Sequence, residues 1–506
     1  MNRREFSLSV AALALAAAPV WRGVTALAGE TSFNRERLVA LAATLANSDF
    51  KPPPAVPEDF NKLGYDQYRD IRFRNELAFW LGEERGFTLE LLHAGFIFRT
   101  PIEIYVVEGD IAHPIKYNTH LFDFGPYLEV PPMHDQPLFS GIRLRFPINT
   151  LAHADEFIVF QGASYFRAVG AGQRFGISAR GLAIDTAEPR GEEFPFFRTI
   201  WIERPDRGAK TIAVHALLDS PSVTGAYSFR IAPGHATLME VEATLFARND
   251  LAHLGLAPLT SMYLFSSRER SRFQDFRRAV HDSDTLAIAR SSGEWLLRPL
   301  ANPMSLQVSA FAEPALRGFG LQQRASDYLN YRDLEARYEL RPSTWVEPKG
   351  DWGEGQVELI EIPTDGEFND NIVAFWRPRD PLPGGRSLSY SYWLTWGPLV
   401  SEKQLARVTD TAVGLTQDHR SQLFVVDFLP PMQHDAPVFL GADIKPQVSA
   451  SKGKLKNVAG RIDPTSGGYR VSFELETSGV ELSELRLVLT RGGQILSEAW
   501  VYRWTA

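Results

Sequence analysis

Cysteine is absent from this chain. Disulfides, thiolate metal sites and a cysteine nucleophile are therefore excluded, and stability must come from core burial. There is no Walker loop, no dinucleotide fingerprint after a strand and no HExxH helix. The eleven histidines are scattered, and only His281, next to Asp282, is singled out; a structural role is the expectation there. No metal and no cofactor is expected. Basic charge is also in deficit, with 53 Lys and Arg against 61 Asp and Glu and a net charge of −8. Without a basic stripe a nucleic acid is not an expected partner. Beyond the N-terminus no run of about 18 or more apolar residues occurs, so no membrane-spanning helix is expected.

What the chain does have at its start is the grammar of an export signal. Arg3 and Arg4 stand in the context NRREF, a largely apolar stretch runs from Leu8 to Val20, and Ala26-Leu27-Ala28 offers a small-x-small cleavage site before Gly29. Residues 1–28 thus read as a signal peptide and the mature protein as periplasmic. The twin arginine with Phe6 close behind favours the Tat route, in which the protein crosses the membrane folded; an ordinary Sec signal with two arginines is the alternative.

A chain of 506 residues exceeds one ordinary core, so at least two domains are expected. The boundary falls at 398–410, where PLVSEKQLARVTD loses strand alternation after the aromatic strand Ser389 to Trp396. Beyond it, residues 411–506 show a period of two: Tyr469, Val471, Phe473 and Leu475 share one face, Leu485, Leu487 and Leu489 another, Trp500, Tyr502 and Trp504 a third. With turns at Ser466-Gly467-Gly468 and Arg491-Gly492-Gly493, this pattern predicts a small immunoglobulin-like β-sandwich. Residues 29–397 alternate in the same way, at Ile102, Ile104, Val106 and at Met239, Val241, Ala243, Leu245. The expected class is all-β, a large sandwich followed by a small one. Helices are expected only at Arg35 to Asn47, Glu76 to Leu81 and Ser326 to Glu339. Lys51 to Pro57 is a proline-rich connector.

Chemistry concentrates in the run from Tyr338 to Trp376, which mixes tryptophans, carboxylates, glycines and amides in what reads as a loop-rich segment. Flat rings stack on the C–H faces of pyranoses, and a carboxyl with a shifted pKa can protonate a glycosidic oxygen. Carbohydrate chemistry is the first hypothesis. Two acidic segments could supply its acid and base: Val280-His281-Asp282-Ser283-Asp284, and Glu367-Phe368-Asn369-Asp370-Asn371 at the mouth of an apolar strand. A turn acid that caps backbone N–H groups is the alternative for each. Trp345, Trp352 and Trp376 are candidate sugar platforms, with core packing as the alternative. Arg324, Arg332 and Arg341 could bind hydroxyls or orient the acids, or could simply be halves of ion pairs.

The chain resembles the periplasmic glucan biosynthesis proteins G and D (MdoG/OpgG and OpgD) through motifs that run almost end to end. Among them are YDQYRDIRF (Tyr65 to Phe73), FQGASYFRAVG (Phe160 to Gly170), GISARGLAIDT (Gly176 to Thr186), VHDSDTL (Val280 to Leu286), YELRPSTWVEPKGDWGEG (Tyr338 to Gly355) and NDNIVAFW (Asn369 to Trp376). The resemblance implies a galactose-mutarotase-like sandwich, a connector and an immunoglobulin-like domain. It also implies a task in making osmoregulated periplasmic glucans, whose backbone is β-1,2-linked glucose. Some members of the family are inverting endo-β-1,2-glucanases. Carried over by motif, Asp370 is the general acid and Asp282 the general base, with Asp284 the less favoured candidate; Tyr338, Arg341, Trp345, Trp352, Asp284 and Trp376 are expected to contact sugar. Desolvation against Phe368, Ile372 and Trp376 is expected to keep Asp370 protonated. Transglycosylation, with cyclised products, and non-catalytic glucan scaffolding beside the membrane glucosyltransferase are the alternatives. The twin arginine leans towards the D type, and the sequence leaves open whether the protein forms a homodimer.

Overall fold

The computed structural model describes residues 31–126, 128, 138–431, 439 and 443–506; the expected signal peptide and its cleavage site lie outside the described residues. The architecture is all-β. Two large sheets face each other. One has ten strands and passes, in spatial order, through Gln307–Glu313, Gly355–Glu361, Ile372–Pro378, Leu254–Ser261, Ser178–Arg180, Tyr165–Ala168, His153–Gln161, Phe139–Thr150 and Thr88–His93, with Leu182–Ile184 also paired to Leu254–Ser261. The other has sixteen strands. Its centre is the antiparallel series Phe196–Glu203, Ile212–Asp219, Val223–Ala232, Thr237–Ala247, Ser387–Gly397 and Ser343–Lys349.

Strand alternation decides which residues meet between the sheets. Met239, Val241, Ala243 and Leu245 are buried from one sheet, Leu89, Leu91, Ile142, Leu144, Phe160 and Phe166 from the other, and all belong to one contiguous core. The outward face of the ten-stranded sheet carries an apolar patch of Ile360, Val373 and Phe375 and, beside it, polar side chains over which the site described below lies.

The helix Arg35–Ala46 forms where expected. Asn34 caps it by accepting from the Arg37 N–H at 2.9 Å. Leu38, Ala42 and Leu45 are buried against Tyr105, Trp201 and Leu217 on the outer face of the sixteen-stranded sheet. The other two expected helices do not form. Glu76 to Leu81 holds only a single 3₁₀ turn, Asn75–Leu77, and Ser326 to Glu339 is two such turns, Tyr328–Asn330 and Tyr338–Leu340. Asp327 accepts from the Leu329 N–H and Asp333 from the N–H groups of Glu335 and Ala336, so short polar side chains take donors that a helix would need. Arg332, just after the first turn, and Arg337, just before the second, adopt left-handed φ of 60° and 50°, which breaks any helix between them. The run from Tyr338 to Trp376 is also more regular than expected, because the strands Ser343–Lys349, Gly355–Glu361 and Ile372–Pro378 occupy much of it.

Toward the C-terminus, Arg407–Leu415, Ser421–Leu429, Tyr469–Glu476 and Lys454–Ile462 form a four-stranded sheet. It packs against Ala499–Thr505, Leu482–Arg491 and Lys445–Ala450, which are the far end of the sixteen-stranded sheet. The join is a parallel pairing of Leu296 with Ala499 and Leu297 with Trp500. Trp295, Leu297 and Trp345 consequently share a core with Phe424, Phe473, Leu487 and Trp500. A buried ion pair, Arg324 to Glu498 at 3.0 Å, ties the two parts again.

Candidate active site

The strand Leu254–Ser261 and the two residues after it hold both candidate acids. Asp282 donates its backbone N–H to the Met262 carbonyl at 2.8 Å. Ser283, next to it, donates its hydroxyl to Ser261 at 2.7 Å. On the other side, the Asn371 N–H donates to the Ser261 carbonyl at 3.0 Å. The buried Asn371 side chain accepts from the Tyr263 N–H at 2.7 Å and donates to the carbonyls of Tyr263 and Ile362 at 2.9 and 3.0 Å. Acids far apart in sequence are thereby hung from the consecutive residues Ser261 and Met262.

Asp282 is 14% exposed at its side chain, and its Oδ1 lies 3.2 Å from Arg341 Nε. The contact is an ion pair without an aligned hydrogen bond. Gly176 allows it: a Cβ there would stand 3.1 Å from Arg341 Cδ and 3.3 Å from Asp282 Cβ. Burial pushes the Asp282 carboxyl up to about 6; Arg341 opposes the rise, the charge of Asp370 adds to it, and Arg167 and Glu367 act in opposite senses more weakly.

Asp370 is open to solvent but walled by protein on most sides, as a group lining a concave surface is. This desolvation raises its pKa, against the pull of the Thr260 hydroxyl, Arg180 and Arg167. Thr260, Arg180 and Arg167 all point from the outward face of the ten-stranded sheet, because Leu259, Ala179, Phe166 and Ala168 point into the core. Arg180 lies between the rings of Tyr165 and Phe194, at 4.9 and 5.5 Å, and is paired with Glu192. Arg167 is exposed, stacks on Phe175 at 5.3 Å and acts on both aspartates. The expected desolvation of Asp370 by Phe368 does not occur, since Phe368 is 94% exposed.

Tyr338 and Arg341 stand beside Asp282. The Arg341 guanidinium sits 5.3 Å from the centre of the Tyr338 ring, and the Tyr338 hydroxyl donates to Glu367 at 3.0 Å. Glu367 also accepts from Arg277 at 2.7 Å, and Arg277 in turn holds Asp275 and Asp333.

Other expected contacts are placed elsewhere. Asp284 caps a turn: its carboxylate accepts from the N–H groups of Arg324 and Ala325 at 3.0 and 2.9 Å and from the Thr285 hydroxyl at 2.8 Å. It lines a separate crevice with Arg268, Arg324 and Thr409. Trp345 is stacked on Trp295 at 4.9 Å in the C-terminal core, and Trp376 is fully buried between the sheets, so neither offers a face to a sugar. Trp352 is half-buried, edge-on to Tyr390 and Tyr392, with its N–H donated to the Ser391 carbonyl. Arg324 is the buried partner of Glu498, and Arg332 is exposed. His281 is a core residue: it stacks on Tyr263, meets Gln323 at 2.9 Å, and burial lowers its pKa.

Arg167, Arg180, Thr260, Glu367, Asn371 and Gly176 were not among the expected site residues. One signal for them was available. In YFRA the apolar Phe166 and Ala168 alternate with Tyr165 and Arg167, and in the same way Leu259 precedes Thr260, which assigns the polar partners to the face opposite the core.

The model of the family described as "Periplasmic glucan biosynthesis protein, MdoG" matches residues 33–504. A Glucans biosynthesis protein G from Vibrio cholerae serotype O1 (strain ATCC 39541 / Classical Ogawa 395 / O395) is 46% identical over 491 residues, covering 96% of this chain and 89% of that protein. One from Rhodopseudomonas palustris (strain ATCC BAA-98 / CGA009) is 44% identical over 508 residues, the full length of both. Another, from Shewanella frigidimarina (strain NCIMB 400), is 45% identical over 481 residues, 94% of this chain and 85% of that protein. All three carry the G designation, whereas the twin arginine leans towards D. The match in length, motifs and identity establishes that the chain belongs to the MdoG family of periplasmic glucan biosynthesis proteins.

Proposed function

We propose that this protein cleaves the β-1,2-linked glucose backbone of periplasmic glucans as an inverting endo-hydrolase, after export to the periplasm. The observation that carries the reading is the pair Asp282 and Asp370: two carboxyls with raised pKa values, each in the other's neighbourhood and both faced by Arg167. Inversion needs one protonated and one ionised carboxyl on opposite sides of the scissile bond. Asp370, without an ion pair among the described residues and with its pKa raised by burial, is assigned the role of giving a proton to the glycosidic oxygen. Asp282, with Arg341 beside it and a pKa of about 6, is mostly ionised at neutral pH and takes a proton from the attacking water. Tyr338, Arg341 and Glu367 supply fixed donors and acceptors for sugar hydroxyls.

Purified mature protein incubated with linear β-1,2-glucan tests this, with products followed by NMR. Shorter linear chains whose new reducing ends first appear as the α-anomer are the expected result. New linkages or rings indicate a transferase instead. Retained binding without turnover overturns the enzymatic reading and leaves a scaffold that could serve the membrane glucosyltransferase.

A further inference from the structure

The face that carries the acid pair continues well past it. On the outward side of the ten-stranded sheet Thr260, beside Asp370, pairs with Ser178 on the next strand. One strand further, Arg167 pairs with Val159, and Val159 with Arg143. Adjacent strands lie about 4.8 Å apart, so Arg143 stands roughly 10 Å beyond the arginine that faces both aspartates. There the face opens into a cavity of about 840 Å³ beneath the helix Tyr65–Asp70, with Arg143, Arg145 and Gln161 on the sheet side and Tyr65, Tyr68 and Arg69 across from them.

The walls of this cavity are polar, and four of their five arginines are paired with carboxylates, while Arg74 donates to the Phe122 carbonyl. Arg143 and Arg145 share the buried Glu90, at 3.2 and 2.5 Å, and Arg143 also meets Glu156 at 3.0 Å. Arg69 pairs with Asp66 and Arg72 with Asp70, at 3.5 and 3.7 Å. A phosphate or carboxylate ligand would have to compete with carboxylates already in place, whereas a neutral polyhydroxyl finds donors and acceptors together. The polar side chains are held in place by bonds to one another, which leaves acceptor oxygens toward the cavity. Gln161 donates to the Tyr68 hydroxyl and to Ser140, both at 2.9 Å, and Tyr68 donates to the His93 carbonyl at 2.8 Å. Tyr65, 62% exposed, presents an aromatic ring at the rim, with the Arg69 guanidinium 5.8 Å from its centre. The volume lies within the roughly 300–1,000 Å³ of ordinary ligand sites.

We propose that this cavity is a second saccharide-binding site, which holds a distal stretch of the glucan chain that passes over Asp282 and Asp370. The inference rests on the glucan reading of the acid pair and adds to it a chain-length requirement. A chain that spans both places gains affinity because its second contact is intramolecular, while a chain too short to span them does not.

Calorimetric titration of the Asp370→Asn protein with a β-1,2-linked disaccharide and with long linear β-1,2-glucan tests the proposal. The long chain is expected to bind at least about tenfold more tightly. Adding Tyr65→Ala and Arg69→Ala, both at exposed positions, is expected to erase most of that gain. Full retention of the gain in the triple variant, or equal affinities for the two saccharides in the Asp370→Asn protein, overturns the second site while leaving the glucan reading intact. Failure of the Asp370→Asn protein to bind either saccharide overturns the glucan reading itself.

Discussion

Ser283 and Ser261 join hydroxyls across 2.7 Å in the fully buried space between the turn that carries Asp282 and the strand that anchors Asp370. The bond makes the spacing of the two acids a property of the sheet instead of two independent loops. The chemistry proposed for them can therefore be tested one support at a time.

Asp370→Asn keeps the shape of the side chain and removes its transferable proton. Turnover of linear β-1,2-glucan is expected to fall roughly a hundred- to ten-thousandfold, with the circular dichroism spectrum unchanged. Undiminished turnover assigns the proton to another group.

Asp282 gives a pH signature in stability. Its carboxyl holds a proton in the folded state up to about 6, whereas the unfolded chain releases it near 3.8. Between those values the folded state binds more protons, so stability falls as pH rises, and above 6 the full cost of about 3 kcal/mol is present. Asp282→Asn removes that cost. Its melting temperature is expected to exceed that of the parent at pH 7 and to match it near pH 4, in thermal scans at both pH values, while catalysis is lost.

Arg341 opposes the rise in the Asp282 pKa. Arg341→Met is expected to move the acidic limb of the kcat/KM profile upward by about one pH unit or more. Gly176→Ala should act in the same direction, because its methyl meets Arg341 at 3.1 Å and must push it from Asp282. An acidic limb that stays in place in both variants separates Arg341 from the base.

Asn371 closes the loop before the acid with three side-chain hydrogen bonds to backbone groups. Asn371→Ala orphans the buried Tyr263 N–H and two carbonyls, and a loss of about 3 kcal/mol in urea denaturation is expected. Activity should fall further than the unfolded fraction accounts for, since Asp370 then loses its neighbour's anchor.

Much of this was legible in the chain. The period of two at Met239 to Leu245 and at Tyr469 to Leu475 gave the correct buried faces, since hydrophobic alternation is a local property. The motifs single out Asp282 and Asp370, the two carboxyls proposed as base and acid. Trp345 and Trp376 take the core alternative, which the sequence does not separate from a platform because a ring beside polar residues looks the same whether it faces solvent or a second sheet; Trp345 meets Trp295 only after the strands Ser343–Lys349 and Trp295–Pro299 are brought into one sheet. Asp284 takes the turn-cap alternative, which was hidden for a related reason. The amides it caps belong to Arg324 and Ala325, which no local pattern places beside it.

The parallel pairing of Trp295–Pro299 with Ala499–Thr505 has a consequence for how the protein is made. As the chain leaves the ribosome, the strand Trp295–Pro299 waits with one edge open and Trp295, Leu297 and Trp345 uncovered until Ala499–Thr505, some two hundred residues later, has been synthesised. An open apolar edge is a template for wrong partners. Folding of the large sandwich therefore finishes only once Ala499–Thr505 has emerged, and a nascent chain that stops short of that strand is the form that a chaperone would have to shield.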